Sequence, residues 1–261
     1  MTEIKLAHLD DVTVEYYVDG EGLPLVLLPS KGRSQSDFDE IVPSIASQGF
    51  KVIRPEYRGI NNSTGPMTDV SLYDLAAEVS LVLDTENIKS SFIVGHAFGN
   101  WIARIVAVTR PDLVKGICVL AAAAKGEFLP EISQALAKSS DLTLPDDERV
   151  EFIKMAFFGP NGDATKWLSG WYQETKVLHT EATKLSPQDE WWDAGGQVPI
   201  FEVRAELDPF APKERANEMR DLFGERVLTV EIPNASHSLI PEQPEAVVAA
   251  LVTYGKWLFI K

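Results

Sequence analysis

The sequence holds a single cysteine, Cys118, inside the apolar run GICVLAAAA. One thiol closes no intramolecular disulfide and supplies no cysteine metal cluster, so Cys118 reads as a small buried hydrophobe of a reducing compartment. No apolar run approaches the ~18 residues that a membrane span requires. The start, MTEIKLAHLDD, lacks the basic residues and apolar stretch of a secretory signal. A cytoplasmic chain is expected. Basic residues are also scarce: 24 Lys and Arg face 39 Asp and Glu, giving a net charge of −15. That balance opposes long-range attraction to nucleic acid or an anionic membrane. The G-x-G-x-x-G spacing and the P-loop are both missing, which argues against a nucleotide cofactor. The expected partner is a small molecule, with no cofactor, no nucleic acid and no membrane; the oligomeric state is not readable.

What is present is ordinary globular composition, 45% hydrophobic and 24% charged over 261 residues, enough for one α/β domain with an insertion. The alternating stretches EIKLAHL and VTVEYYVDG predict a hairpin-like pair of strands. After them come continuous apolar runs, LPLVLLP, FKVIRPE, SSFIVG, GICVLAAA, PIFEVRA and RVLTVEI, which suit strands buried on both faces of a mostly parallel sheet. Leu72, Leu75, Val79, Val82 and Leu83 recur at helical spacing behind Ser71 and Asp74, a capping-box pair. Residues 98–109 predict another helix stopped by Pro111, and Pro244 opens a last one. Between about 126 and 196 the alternation stops. That stretch has helical patterns, no convincing strand, and four of the six tryptophans, Trp167, Trp171, Trp191 and Trp192. It reads as a helical insertion whose aromatic residues pack a core and contribute to an apolar pocket wall.

FIVGHAFGNW, residues 92–101, carries the chemistry. A strand ends in Gly95-His96-Ala97-Phe98-Gly99 and a helix follows, the setting of a G-x-S-x-G elbow, in which glycines permit a sharp turn that lifts the middle side chain off the sheet. Asp208 falls just past a later strand in FEVRAELDPFAP, and His237 lies in the loop of VEIPNASHSLIPEQP after the next one. The order is elbow, acid, base, with Glu206 a second, less favoured acid.

These features, the FKVIRPEYRGINNST stretch and the His237-x-x-x-Pro241 turn together resemble the α/β-hydrolase superfamily over nearly the whole chain. The resemblance implies a mostly parallel eight-stranded sheet flanked by helices. Residues 1–125 and 197–261 would form the core, and 126–196 a helical cap inserted after strand six. It implies His237 as general base, oriented by Asp208, and a backbone oxyanion hole from the N–H groups of Phe98 and Lys31. The sequence departs from the family in two places. Pro29 and Ser30 stand where the family has His-Gly, and Ala97 stands at the nucleophile position. Ser30, Trp171 and Trp191 are expected to line the pocket, and the His237-Asp208 pair has no spaced partners that would make a metal site. His8 and His179 fit no motif, and His96 reads as structural.

Ala97 has no atom that can form an acyl-enzyme. Three explanations stand. The site works without a covalent nucleophile, using His237 and Asp208 as a base on a small, mainly apolar ester, lactone or C–C substrate. Alternatively, the chain is an engineered, inactive Ser-to-Ala form of a serine esterase or lactonase, or the pocket binds a small ligand without turning it over.

Overall fold

The computed structural model describes residues 2–122 and 128–260. Strands β1 (Glu3–Leu9), β2 (Val12–Asp19), β3 (Leu23–Leu28), β4 (Phe50–Pro55), β5 (Ser91–His96), β6 (Val114–Leu120), β7 (Ile200–Ala205) and β8 (Val227–Ile232) form one sheet. Its spatial order is β1-β2-β4-β3-β5-β6-β7-β8. The hairpin β1–β2 is antiparallel, β2 meets β4 antiparallel, and the remaining pairs are parallel.

Helices complete the layers. They are α1 (Val42–Ser47), α2 (Leu72–Thr85), α3 (Gly99–Thr109), α4 (Pro130–Ser139), α5 (Asp146–Phe157), α6 (Gln173–Lys184), α7 (Glu218–Phe223), α8 (Leu239–Glu242) and α9 (Pro244–Ile260). Successive strand side chains point to opposite faces, so each continuous apolar run feeds two cores. Val26 and Leu28 of β3 pack with Leu75 and Val79 of α2 and with Ile102 and Val106 of α3. Leu25 and Leu27 face the other way, towards Ile45 of α1 and Val247 and Leu251 of α9. Each such side chain, taken fully out of water, contributes about 1.5–3 kcal/mol.

The predicted helix boundaries hold. Ser71 caps α2: its hydroxyl accepts from Asp74 N–H at 3.3 Å, and the Asp74 carboxylate accepts from Ser71 N–H at 2.7 Å. Helix α3 ends at Thr109, two residues before Pro111. Between β6 and β7 the described residues 128–196 contain α4, α5 and α6 and no strand. The expected boundary at 125/126 lies outside the described residues. A third apolar cluster, including Ile132, Ile153, Phe157 and Trp167, holds this segment together and takes in Phe210 from the loop after β7. Among the described residues no helix is long and apolar enough to cross a membrane.

Candidate active site

The elbow is fixed by what its neighbours cannot accommodate. A Cβ on Gly95 would lie 2.2 Å from the Gly99 carbonyl carbon, and a Cβ on Gly99 would lie 2.2 Å from the Leu28 carbonyl oxygen. Real side chains do not survive such contacts, so β5, β3 and the start of α3 approach this closely only because both positions are glycine. The chain turns at Ala97, whose φ is +46°, a left-handed conformation that is strained for a residue with a Cβ. Ala97 N–H donates to Leu120 O of β6 at 3.0 Å. Ala97 lines a mainly apolar cavity.

His237 and Asp208 meet across 29 residues of chain: His237 Nδ1–H donates to Asp208 Oδ2 at 3.0 Å. The carboxylate only accepts, so the shared proton sits on Nδ1 and leaves Nε2 with its lone pair. Asp208 Oδ1 accepts from Phe210 N–H at 2.8 Å, fixing the carboxylate. Leu207 N–H donates to Ala235 O at 2.8 Å, joining the acid loop to the histidine loop. Glu206, the other acid considered, instead bonds Lys213 and Asn234 N–H and stays away from His237. His96 is structural, as expected. Its buried Nε2–H donates to His237 O at 2.9 Å, and burial holds its pKa down at about 3, so the ring is neutral.

Phe98 at the elbow and Lys31 in the loop after β3 both border the cavity. Neither Phe98 N–H nor Lys31 N–H has a hydrogen-bond partner among the described residues, and both residues line the same cavity as Ala97 and His237. Phe98 precedes the first turn of α3, where partial positive charge favours an anion. The replacement of His-Gly by Pro29-Ser30 is absorbed through backbone contacts. Tyr57 O–H donates to Pro29 O at 3.1 Å, and Gly32 O accepts from Tyr172 N–H at 3.0 Å.

Here the sequence concealed a residue. His179, which fits no motif, sits on α6 fully buried, and its Nδ1 accepts from Gly32 N–H at 3.1 Å. Its ring stacks on Phe98 at 4.3 Å and meets Tyr57 edge-on at 4.5 Å. Burial drives its pKa far below the usual imidazole value, which keeps Nδ1 an acceptor. Glu242 carries no sequence signal either: its carboxylate accepts from Ser236 N–H at 2.7 Å and Gly159 N–H at 2.8 Å, tying the histidine loop to the helical segment. The 83 residues between Gly159 and Glu242 leave no local pattern.

The cavity measures about 380 Å³ and its walls are mainly apolar, a size suited to a small-molecule ligand. Ser30 and Trp171 are among its lining residues. Trp191 is not. It is almost completely buried beneath Trp101 and Trp192, and its indole N–H donates to Ser186 O. An apolar ring with one internal partner for its N–H gains more from packing against α3 than from facing a pocket. The wall is built instead from Phe98, Phe157, Trp167, Trp171 and Phe210. Arg33 is wedged against Trp167 and Trp171, with its carbon centre 4.6 and 4.7 Å from the rings, while Asp37 and Ser169 O take its N–H groups.

The chain is 30% identical over 114 residues to a soluble epoxide hydrolase of Corynebacterium sp. (strain C12), a match covering 44% of this chain and 40% of that protein's length. It is 25% identical over 291 aligned positions to the rhodomycin D methylesterase DauP of Streptomyces sp. (strain C5), covering 95% of this chain and 96% of the other. The enol-lactonase structure from Burkholderia xenovorans LB400 superposes with a TM-score of 0.78 at 18% identity, covering 96% of this chain and 99% of that one. Residues 25–250 match the Alpha/beta hydrolase family. With the sheet order, the glycine-bounded elbow and the acid and histidine loops, that match over most of its length makes the chain a member of the alpha/beta hydrolase family.

Proposed function

We propose that this alpha/beta hydrolase acts on a small, mainly apolar carbonyl compound, an ester, a lactone or a C–C bond next to a carbonyl, without a covalent nucleophile at residue 97. The observation that supports this reading is the grouping of a carboxylate-held histidine and an elbow alanine at one cavity. His237 is oriented by Asp208 at 3.0 Å, two amides with no partner among the described residues belong to residues of the same cavity wall, and Ala97 offers only a methyl group at the elbow. In this reading His237 Nε2 takes a proton from a water molecule or from an acidic carbon of the substrate. Negative charge then collects on the carbonyl oxygen, where the Phe98 and Lys31 amides stabilise it. With water, the hydroxide attacks the carbonyl directly and the proton passes from His237 to the leaving group. With carbon acids, the enolate forms and expels a leaving group from its β carbon as a C=C bond forms, and His237 returns the proton to that leaving group. The helical segment over the sheet serves as the lid of the pocket, and its aromatic residues exclude water.

The test is a substrate screen of esters, lactones and β-diketones with the protein as it stands and with His237→Ala and Ala97→Ser. Turnover that depends on His237, with no acyl adduct at residue 97 in the second variant, supports the proposal. A burst of nitrophenol from Ala97→Ser with mass added at residue 97 overturns it in favour of an engineered Ser-to-Ala form of a serine esterase. Tight ligand binding with the ligand recovered unchanged and independent of His237 indicates a receptor.

A further inference from the structure

Among the described residues lining the cavity there is no aspartate or glutamate, yet Lys31, Arg33 and Lys176 all border the space. Arg33 is neutralised by Asp37, which accepts from Nε at 2.9 Å and from Nη2 at 2.6 Å. Lys31 Nζ has no hydrogen-bond or ion-pair partner among the described residues. It rests 5.6 Å from the centres of both the Phe98 and Trp101 rings. Lys176, on α6, donates to the hydroxyl of Ser140, and the half-buried Asp141 is the acid whose field reaches it. In a protein of net charge −15, two ammonium groups therefore face a mainly apolar space with no carboxylate on its described wall.

We propose that the cavity binds an anionic substrate, specifically a carboxylate on a mainly apolar body, with Lys31 as the principal anchor and Lys176 as its support. This rests on the reading of the cavity as the substrate site. An ammonium group held over aromatic faces away from bulk water is a strong attractor for a charge brought in by a ligand, because the local dielectric amplifies their interaction. Burial and the neighbouring Lys176 charge already depress Lys31 to about 8, and burial also lowers Lys176. An incoming carboxylate relieves both penalties. A phosphate is the poorer fit. A guanidinium fork, which holds phosphate oxygens two at a time, is not free at this end of the cavity, because the one fork on the described wall is committed to Asp37 and Ser169. Lys31 thus contributes twice to the site, by its amide to the reacting oxygen and by its ammonium to the substrate's far end. That second contribution fixes which way round the substrate lies.

The experiment is calorimetric titration of the full chain at pH 7 with 3-phenylpropionate and with its uncharged isostere 3-phenylpropionamide. The acid is expected to bind about 10-fold or more tighter than the amide. Lys31→Met should bring the two within about twofold, Lys31→Arg should keep the preference, and Lys176→Met should weaken it several-fold. His237→Ala should leave the preference intact, so loss of catalysis and loss of anion recognition are read separately. Equal affinity for acid and amide, a preference that survives the Lys31→Met, Lys176→Met double substitution, or no binding of the acid at millimolar concentration would each overturn the proposal. So would stronger competition by inorganic phosphate than by the carboxylate. Borohydride treatment with 3-phenylpropionaldehyde is the remaining arm: mass fixed to Lys31 would make the lysine an amine nucleophile instead of an anion anchor.

Discussion

His179 on α6 accepts a hydrogen bond from the backbone N–H of Gly32, 147 residues earlier, at 3.1 Å. The helical segment is thereby tied to the loop that carries Lys31, and a substitution on α6 would act on the proposed oxyanion site through one backbone amide. His179→Ala removes the acceptor and the ring stacked on Phe98. The expected result is a kcat about 10- to 100-fold lower with KM changed by only a few-fold, since misaligned oxyanion donors act on the transition state. Steady-state kinetics on any substrate found in the screen checks it; an unchanged kcat would show that Lys31 N–H is placed without the Gly32 anchor.

The His237-Asp208 pair has a sharper expectation. His237→Ala should lower turnover by about 10²- to 10⁴-fold, the usual contribution of a positioned base. Asp208→Asn should also lower it strongly, because an amide NH₂ facing Nδ1 favours the tautomer with the proton on Nε2. Binding of substrate analogues by both variants should stay close to that of the unsubstituted protein. A variant that keeps full turnover would remove its residue from the reaction.

Elbow substitutions should separate shape from chemistry. Gly99→Ala forces a Cβ to within 2.2 Å of Leu28 O and should destabilise the fold by about 3 kcal/mol or more. For a chain of this size that is a fall in Tm of about 6 °C or more. Ala97→Gly, at φ +46°, relieves local strain and loosens the unfolded chain, so its net effect should stay within about 1 kcal/mol. Thermal melts of the two variants side by side decide the matter; equal melting temperatures would contradict the packing account.

Lys31 gives a pH-dependent stability signature. Its pKa falls from 10.5 in the unfolded chain to about 8 in the fold, so below pH 8 the folded state carries a charge it disfavours. Between pH 8 and 10.5 the folded lysine loses its proton first and the penalty shrinks; above 10.5 both states are neutral and it is gone. Lys31→Met should therefore stabilise the protein at pH 7 by about 2 kcal/mol, after allowing for screening of a group that is not wholly buried. The advantage should fade towards pH 10.5. Denaturant melts at pH 7 and pH 10 test it, and a variant less stable at pH 7 would show that Lys31 is compensated.

Much of this was legible in the chain itself. The eight strands announced themselves because buried parallel strands are continuous apolar runs, and Ser71, Pro111 and Pro244 mark helix ends by local chemistry. The elbow, Asp208 and His237 were readable because each follows a strand directly, so the topology of the sheet brings their loops to one edge. His179, Glu242 and Lys176 were not readable. Each acts on a loop that lies far away in the chain, 83 residues for Glu242 and 147 for His179, or is brought near only by folding of the helical segment, and nothing local in the sequence marks such a pairing. Trp191 failed for a related reason. Composition shows that a segment is aromatic-rich, but which indole meets solvent-sized space and which meets α3 depends on packing.

The approach of Gly99 to the Leu28 carbonyl has one further consequence. The bend at residue 97 is written into the residues around it, so the position itself is an interchangeable fitting. The turn depends on Gly95 and Gly99 and not on the side chain at 97, so a different residue can be mounted there while the backbone path stays the same. Such a scaffold can exchange one class of reaction for another while keeping its ligand, so kinship in shape within this family is a weak guide to shared chemistry.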